Sequence, residues 1–394
     1  MRILHLNHFG THAGGVEGYI ADTSAALMGA EHQAHLVYFA PEGVGDLLPG
    51  TTHAPLPEWP RPADRAIGIL ERVLDDFNPD VAYVHAVYHP DLIHWLGQQL
   101  PAIGYVHGPY IVCPGSALYL RRRMAACPHR SGPICLVNAQ LEDCCWGRNP
   151  LGHLRLLRRS RAFAAAYRAL GTILVGSSFM QQLLSRNGIA PDRMHLLPPM
   201  LNPEPVPEAV FAQDSRTVLY AGRLTQEKGI RLLVEALARI QADWQLVIAG
   251  AGEERGTCET LIAEQGLEER VHFAGWLSES ELAAKLGECA CVAVPSLWPE
   301  PFGRVGPEAF LRGLPVVAFD SGGIGDWLED GVTGYLVTSG DSSALGRRLE
   351  LLLESPALRF EMGQRARKYA LSAWKAKDHV RRLLQIFRQA GAEG

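Results

Sequence analysis

Short apolar runs alternate with amphipathic stretches along almost the whole chain. In the first half, residues 3–7, 35–39, 81–87, 103–107 and 173–176 form such runs and read as strands. Helical patterns fall between several of them, as at 18–28 and 66–77. Alternation of this kind predicts a parallel sheet with helices on both faces. The stretch 41–62 is rich in Pro and Gly and reads as a loop. Pro198, Pro199, Pro203, Pro205 and Pro207 then punctuate the middle of the chain, where neither a helix nor a central strand can continue. A second alternation follows, with strands expected at 218–221, 245–249, 271–274, 291–294, 316–319 and 335–337 and helices at 230–241 and 280–286. The last stretch, 355–390, is helical and rich in Arg. The expectation is an α/β protein of two doubly wound domains, 1–200 and 201–374, whose strand C-termini look toward a common cleft. Residues 375–394 form a final helix.

The 394 residues suffice for two such cores. The 47% hydrophobic and 20% charged fractions are ordinary for a soluble enzyme. A net charge of −5 argues against general nucleic-acid binding. There is no apolar run of membrane-spanning length. The opening MRILHLNHFG reads as a first strand and not as a secretory signal, so the expected location is cytoplasmic.

The chemistry concentrates between Pro295 and Ala318, in PSLWPEPFGRVGPEAFLRGLPVVA. A buried strand breaks at Pro295, Pro299, Pro301 and Gly303, a helix is expected from about Arg304 to Gly313, and a second strand follows. Glu300 stands in the loop before the helix, and Glu308 is expected one to two turns inside it. Gly303 permits close approach of a ligand to the backbone. The unsatisfied N–H groups at the helix start, around Phe302, Gly303 and Arg304, suit an anion or a hydroxyl. In YAGRLTQEKG, Arg223 and Lys228 follow a strand and precede a helix, forming a pair of cations suited to a diphosphate. In GTHAGGVE, Gly14 and Gly15 follow the first strand; the pair is either a phosphate-facing loop or a plain strand-to-helix turn, and it lacks the G-x-G-x-x-G dinucleotide fingerprint. His107 ends the fourth expected strand and His85 the third, where α/β active sites are built, His85 being the more structural of the two. AGAGE at 249–253 and FAGW at 273–276 are turns at strand ends.

Glu300 and Glu308, separated by seven residues and set in EPFG with GLPVVA following, resemble the E-x7-E motif of retaining glycosyltransferases of the GT4 family, glycosyltransferase group 1. YAGRLTQEKG is similar to the GRL…KG motif of the same family. The resemblance covers nearly the whole chain and is stronger in the second half. It implies a GT-B fold, with two Rossmann-like doubly wound domains facing each other across a cleft: an acceptor-side domain, a nucleotide-sugar donor domain, and a final helix crossing back to the first. It implies a hexosyltransferase acting with retention on a nucleotide diphosphate sugar and a hydroxyl acceptor, a saccharide or lipid-linked saccharide in polysaccharide or glycolipid assembly. By that resemblance Glu308 accepts from ribose hydroxyls. Glu300 and the backbone N–H groups of Phe302, Gly303 and Arg304 meet the donor sugar, as does His107. Arg223 and Lys228 neutralise the departing diphosphate, Gly14 and Gly15 face the donor phosphates, and Gly250 and Gly275 border the base and ribose. The family's proline and glutamate are replaced here by Gly325 and Asp326, with Gly322 and Gly323 intact. No D-x-D motif occurs, so no catalytic divalent metal or other cofactor is implied. The expected mechanism is transfer on one face of the sugar, with the leaving phosphate assisting deprotonation of the acceptor.

Five of the eight cysteines, Cys113, Cys127, Cys135, Cys144 and Cys145, fall in an insertion at about 109–150. A structural zinc site would staple it; disulfides and unligated thiols are the other readings. Arg121–Arg123 and Arg155, Arg158, Arg159 and Arg161 form basic runs that suit either solvent or an anionic membrane, which would place the protein peripherally at the inner face. Two other functions share the nucleotide clamp: a nucleotide-sugar epimerase or hydrolase that needs no acceptor, and a non-enzymatic nucleotide-sugar sensor that needs neither Glu300 nor His107.

Overall fold

A computed structural model describes residues 1–11, 14–40, 47–145, 147, 149–201 and 212–393. In chain order the first half contains β1 (Arg2–Asn7), α1 (Gly15–Gly29), β2 (Gln33–Tyr38), β3 (Thr51–His53), α2 (Asp64–Phe77), β4 (Val81–Val84), α3 (Pro90–Gln99) and β5 (Ala102–Val106). It continues with β6 (Tyr119–Leu120), β7 (Ala125–Ala126), α4 (Ile134–Leu141), α5 (Pro150–Ala169), β8 (Thr172–Val175), α6 (Ser178–Arg186) and β9 (Met194–Leu196). The second half holds β10 (Thr217–Ala221), α7 (Ile230–Leu237), β11 (Gln245–Ala249), α8 (Arg255–Glu264), β12 (Val271–Gly275), α9 (Glu279–Leu286) and β13 (Cys291–Val294). Then come α10 (Val305–Leu311), β14 (Val316–Phe319), β15 (Gly334–Val337), α11 (Ser342–Glu354), α12 (Pro356–Ala373) and α13 (Ala376–Glu393).

The chain divides into two compact units. Unit 1 comprises Met1–Ala117, His129–Asn202 and Trp374–Gly394; unit 2 comprises Leu118–Pro128 and Pro203–Ala373. The expected boundary at Pro203, Pro205 and Pro207 lies outside the described residues, as do 41–46 of the expected loop and His12 and Ala13 of the first glycine-rich turn.

Unit 1 holds a parallel sheet in the order β3-β2-β1-β4-β5-β8-β9, and unit 2 a parallel sheet in the order β12-β11-β10-β13-β14-β15. The inner strands VAYV, TILV, CVAV and VVAF are buried at every position. Such continuous apolar runs form strands covered on both faces, which explains why they lack the alternation of a half-exposed strand. In each sheet the strand order reverses beside the first strand, between β1 and β4 and between β10 and β13. Loops leaving the carboxyl ends of those strands diverge there and open a crevice.

The terminal helix belongs to unit 1. Val380, Leu383, Leu384 and Phe387 repeat at helical spacing and are buried in one cluster with Ile3, Tyr83, Tyr105 and Leu197. The break between α12 and α13 falls at Trp374 and Lys375, inside the single helical stretch the sequence suggested. The strands β3 and β9, of three residues each, were not expected. The insertion is also divided. The hairpin β6–β7 is grouped with unit 2, where Arg121 pairs with Glu253 at 3.6 Å, while the rest stays with unit 1.

Candidate active site

In unit 2 the loops at the reversal point come from β10 and β13. They carry the two motifs that the sequence singled out, and the structure brings them together. Lys228 Nζ donates to Glu300 Oε1 at 2.6 Å. Ser296 Oγ donates to the same oxygen at 2.6 Å. The Lys228 ammonium also stands over the Trp298 ring, 4.7 Å from its centroid, a cation–π contact. The Lys228 and Glu300 side chains are 17% and 8% exposed, so the pair is held largely away from solvent screening. Burial pushes the Glu300 carboxyl up; the Lys228 charge and hydrogen bonds from Lys228 and Ser296 outweigh it and hold the group below its ordinary 4.5.

Backbone contacts stitch the loops to each other. The N–H groups of Leu297 and Trp298 both donate to the Glu227 carbonyl, at 2.9 and 3.1 Å. Gly229, with φ +70°, lies so close to the Pro295 carbonyl that a Cβ would collide with it. On the other side, Gly323 N–H donates to the Glu300 carbonyl at 2.7 Å, and a Cβ on Gly322, φ +65°, would strike that carbonyl. Ser321 Oγ donates to the Trp298 carbonyl at 2.6 Å. The backbone at Glu300 is thus clamped from the β10 loop and from the β14 loop.

Glu308 falls in the first turn of α10, not one to two turns inside, because the helix starts at Val305 and runs seven residues. Its Oε1 accepts from Arg304 Nε at 3.2 Å, an i,i+4 pair. Gly303, φ +85°, makes the turn between Glu300 and this helix, and the Phe302 carbonyl is held by Trp327 Nε1 at 2.6 Å. Arg223 is exposed just past β10, and its carbonyl accepts from Tyr220 OH at 2.7 Å. At Gly250 a Cβ would collide with the Gly222 carbonyl, and at Gly252 with the Leu224 carbonyl, so the space there is filled by the chain's own backbone. At Gly275 a Cβ would meet nothing within 4 Å.

In unit 1, Gly14 precedes the first turn of α1, Gly15 opens the helix, and Glu17 in that turn accepts from Asn7 Nδ2 at 2.8 Å. His107 follows β5 directly and stacks on Tyr105, with centroids 4.3 Å apart. Its Nε2 lies 3.0 Å from His85 Nδ1, and His85 Nε2 lies 3.1 Å from His5 Nδ1. His5 had no place in the expected site; neither did Ser296, Ser321 and Gly229. Ser296 stands four residues before Glu300, a spacing the sequence does display, whereas His5 reveals itself only through strand order. Among the described residues, no three His, Cys, Asp or Glu side chains come together as a metal site. Cys127 is grouped with unit 2, and Cys113, Cys135, Cys144 and Cys145 are grouped with unit 1.

Two family models cover most of the chain. Glycosyltransferase Family 4 matches residues 13–205, and Glycosyl transferases group 1 matches residues 204–369. Solved structures similar in fold include Anabaena HepE in complex with UDP and glucose, with TM-score 0.71 and 19% identity over 99% of this chain and 100% of that one. Sucrose-phosphate synthase from Thermosynechococcus elongatus has TM-score 0.76 and 21% identity over the whole of both chains. The two Rossmann-like units therefore define a GT-B protein. The chain belongs to the GT4 family of group 1 glycosyltransferases. It is 36% identical to the alpha-D-kanosaminyltransferase of Streptomyces kanamyceticus over 45% of this chain and 47% of that protein. It is 27% identical to the MMP alpha-(1->4)-mannosyltransferase of Mycolicibacterium hassiacum over 62% of this chain and 60% of that one. The matched stretches span about half the length of these curated relatives.

The pair makes a stability prediction with a definite sign. Removing one partner of a buried ion pair strands the other, at about 3 kcal/mol or more. Glu300→Gln should lose about that much at neutral pH in denaturant unfolding. Because the folded Glu300 carboxyl is depressed, its contribution is complete above pH 4.5 and fades as pH falls through the folded value. The gap between wild type and Glu300→Gln should close on acidification; a gap independent of pH would contradict the pairing.

Proposed function

We propose that this protein transfers a sugar from a nucleoside diphosphate donor to a hydroxyl acceptor with retention of configuration. The observation that carries this reading is the Lys228–Glu300 pair at the reversal point of the second sheet, inside both family motifs. A lysine ammonium has three donors, and one is given to Glu300, so it can reach a phosphate oxygen without giving up the pair. Arg223 stands exposed at the same strand end and adds a second cation. Charge builds on the diphosphate as the glycosidic bond breaks, and a well-placed donor to such charge is worth about 3–4 kcal/mol. Glu300, kept ionised, accepts from sugar hydroxyls, and Glu308 accepts from the ribose. His107 hydrogen-bonds a sugar hydroxyl. No catalytic metal is required in this scheme, since Lys228 and Arg223 supply the positive charge.

A uridine nucleotide is the first donor to try, since Anabaena HepE was solved with UDP and glucose. Incubation with nucleotide sugars and a panel of saccharide and lipid-linked acceptors should release nucleoside diphosphate only when an acceptor is present. Proton NMR of the product should show the donor's anomeric configuration. An inverted product would overturn the retaining scheme. Turnover without acceptor would favour the epimerase or hydrolase, and binding without turnover the sensor.

A lipid-linked acceptor is the second part of the proposal, favoured by one surface of unit 1. Helix α5 carries Arg155, Arg158, Arg159, Arg161 and Arg168 and no acidic residue, in a chain of net charge −5. Beside it α4 exposes Ile134, Val137 and Leu141 at helical spacing, and Leu151 opens α5 with 68% exposure. Apolar side chains beside arginines suit an anionic bilayer surface. Flotation with vesicles containing phosphatidylglycerol should carry the wild type upward, and Val137→Asp with Leu141→Asp should abolish it. Equal recovery with neutral phosphatidylcholine vesicles would remove the membrane reading.

A further inference from the structure

Three histidines of unit 1 join ring to ring across neighbouring strands. β1 pairs with β4, and β4 with β5. His5 is the Cα partner of Tyr83, so His85, two residues further on, projects to the same side of the sheet. His107 follows β5 on the next strand. The contacts run Ser24 Oγ to His5 Nε2 at 3.4 Å, His5 Nδ1 to His85 Nε2 at 3.1 Å, and His85 Nδ1 to His107 Nε2 at 3.0 Å. His5 and His85 lie nearly parallel, 6° apart, and both are fully buried. Burial holds His85 well below 6.5 and brings His5 down to about 3, so both rings are neutral at neutral pH.

A neutral imidazole has one N–H and one lone pair. The chain of bonds therefore has two self-consistent arrangements when all three rings are neutral. In one, His5 Nδ1–H donates to His85 Nε2 and His85 Nδ1–H donates to His107 Nε2, so that His107 carries its proton on Nδ1. In the other every donor is reversed, and His107 carries its proton on Nε2. Intermediate arrangements set two lone pairs or two N–H groups against each other. The proton position on His107 is thus tied to two buried rings behind it. Packing alone does not call for this. An apolar ring would fill the His85 position without the cost of burying polar nitrogens. The His85 backbone is also held in place from outside the chain of histidines. The His85 carbonyl accepts hydroxyls from Tyr110 and Tyr167, each at 3.0 Å, and the Tyr83 ring lies 4.3 Å away.

We propose that His85, backed by His5, is a positioning residue for sugar transfer: it fixes the orientation of the His107 ring and selects which His107 nitrogen bears the proton. This rests on the reading of His107 as the group that meets the donor sugar. His85 itself is sealed from solvent and acts through His107.

Three substitutions separate this role from a structural one. Asn places an amide where His85 Nδ1 stands and keeps the bond toward His107. Gln reaches the Nε2 position and keeps the bond toward His5. Phe keeps the ring and loses both. The loss expected for His85→Phe and His85→Gln is roughly tenfold to a hundredfold in kcat, by analogy with removal of the partner that orients a metal-ligating histidine. The donor KM should stay nearly constant, and His85→Asn should retain most of the activity. Melting temperatures of all three, measured alongside, separate misfolding from mispositioning. Loss of activity alike in Asn and Phe, in step with lost stability, would overturn the proposal. A second readout needs no activity. Long-range proton–nitrogen NMR should show the same His107 tautomer in the wild type and in His85→Asn, and a different tautomer or a mixture in His85→Gln; a His107 tautomer unchanged in His85→Gln would overturn the proposal. If His107→Phe left kcat unchanged, the reading of His107 would fall by itself; a His107 tautomer that responds to His85→Gln would show that the histidine coupling stands apart from it.

Discussion

The Lys228–Glu300 contact ties together two loops that leave neighbouring strands at the point where the second sheet reverses its order. Neither side chain could be buried there alone, because an unpaired charge in that setting costs several kcal/mol. The surrounding structure serves to hold the pair. Ser296 shares the carboxylate, Trp298 covers the ammonium, and the Glu227 carbonyl and Gly323 N–H clamp the backbone from both sides. Gly229 and Gly322 are glycines because this clamping leaves no room for a Cβ. These contacts hold the pair in place without a ligand, and charge fixed in advance is the condition under which it helps most in catalysis.

Unit 1 uses the same topology for a different chemistry. Its sheet also reverses beside the first strand, and the groups gathered near the strand ends there are polar rings, the buried His5 and His85 held neutral, in place of an ion pair. The terminal helix α13 packs its apolar stripe beneath this region, with Phe387 edge-on to Tyr83 and His379 hydrogen-bonded to Tyr19 at 3.1 Å. Tyr19 in turn bonds Tyr83 at 2.7 Å. These tyrosines and histidines form one polar cluster within a hydrophobic shell, joined by hydrogen bonds between positions distant in sequence.

Much of this was legible in the residues. The buried strands announce themselves as apolar runs of four to seven residues between Gly and Pro signals, and all six strands of the second sheet fell where the pattern put them. Glu300, Glu308, Arg223 and Lys228 stood out because their motifs lie at strand ends. What escaped depends on contacts between distant positions. Strands Thr51–His53 and Met194–Leu196 are too short and too polar to register as runs. The cysteine-rich insertion is divided between the units, with Arg121 of its hairpin meeting Glu253 in unit 2, a contact that no spacing encodes. His5 is an unremarked position within a strand until strand order sets it beside His85.

The central claim is that Lys228 holds the diphosphate of a nucleotide donor while remaining paired with Glu300. Isothermal titration calorimetry of the full chain with UDP, and with UDP-glucose, tests it most directly. The wild type should bind, and Lys228→Met should weaken binding by roughly tenfold to a hundredfold, the loss of one charge-assisted bond. Ser296→Ala, which leaves the cation in place, should bind nearly as the wild type does. Equal affinity of wild type and Lys228→Met for every nucleoside diphosphate that binds would contradict the account.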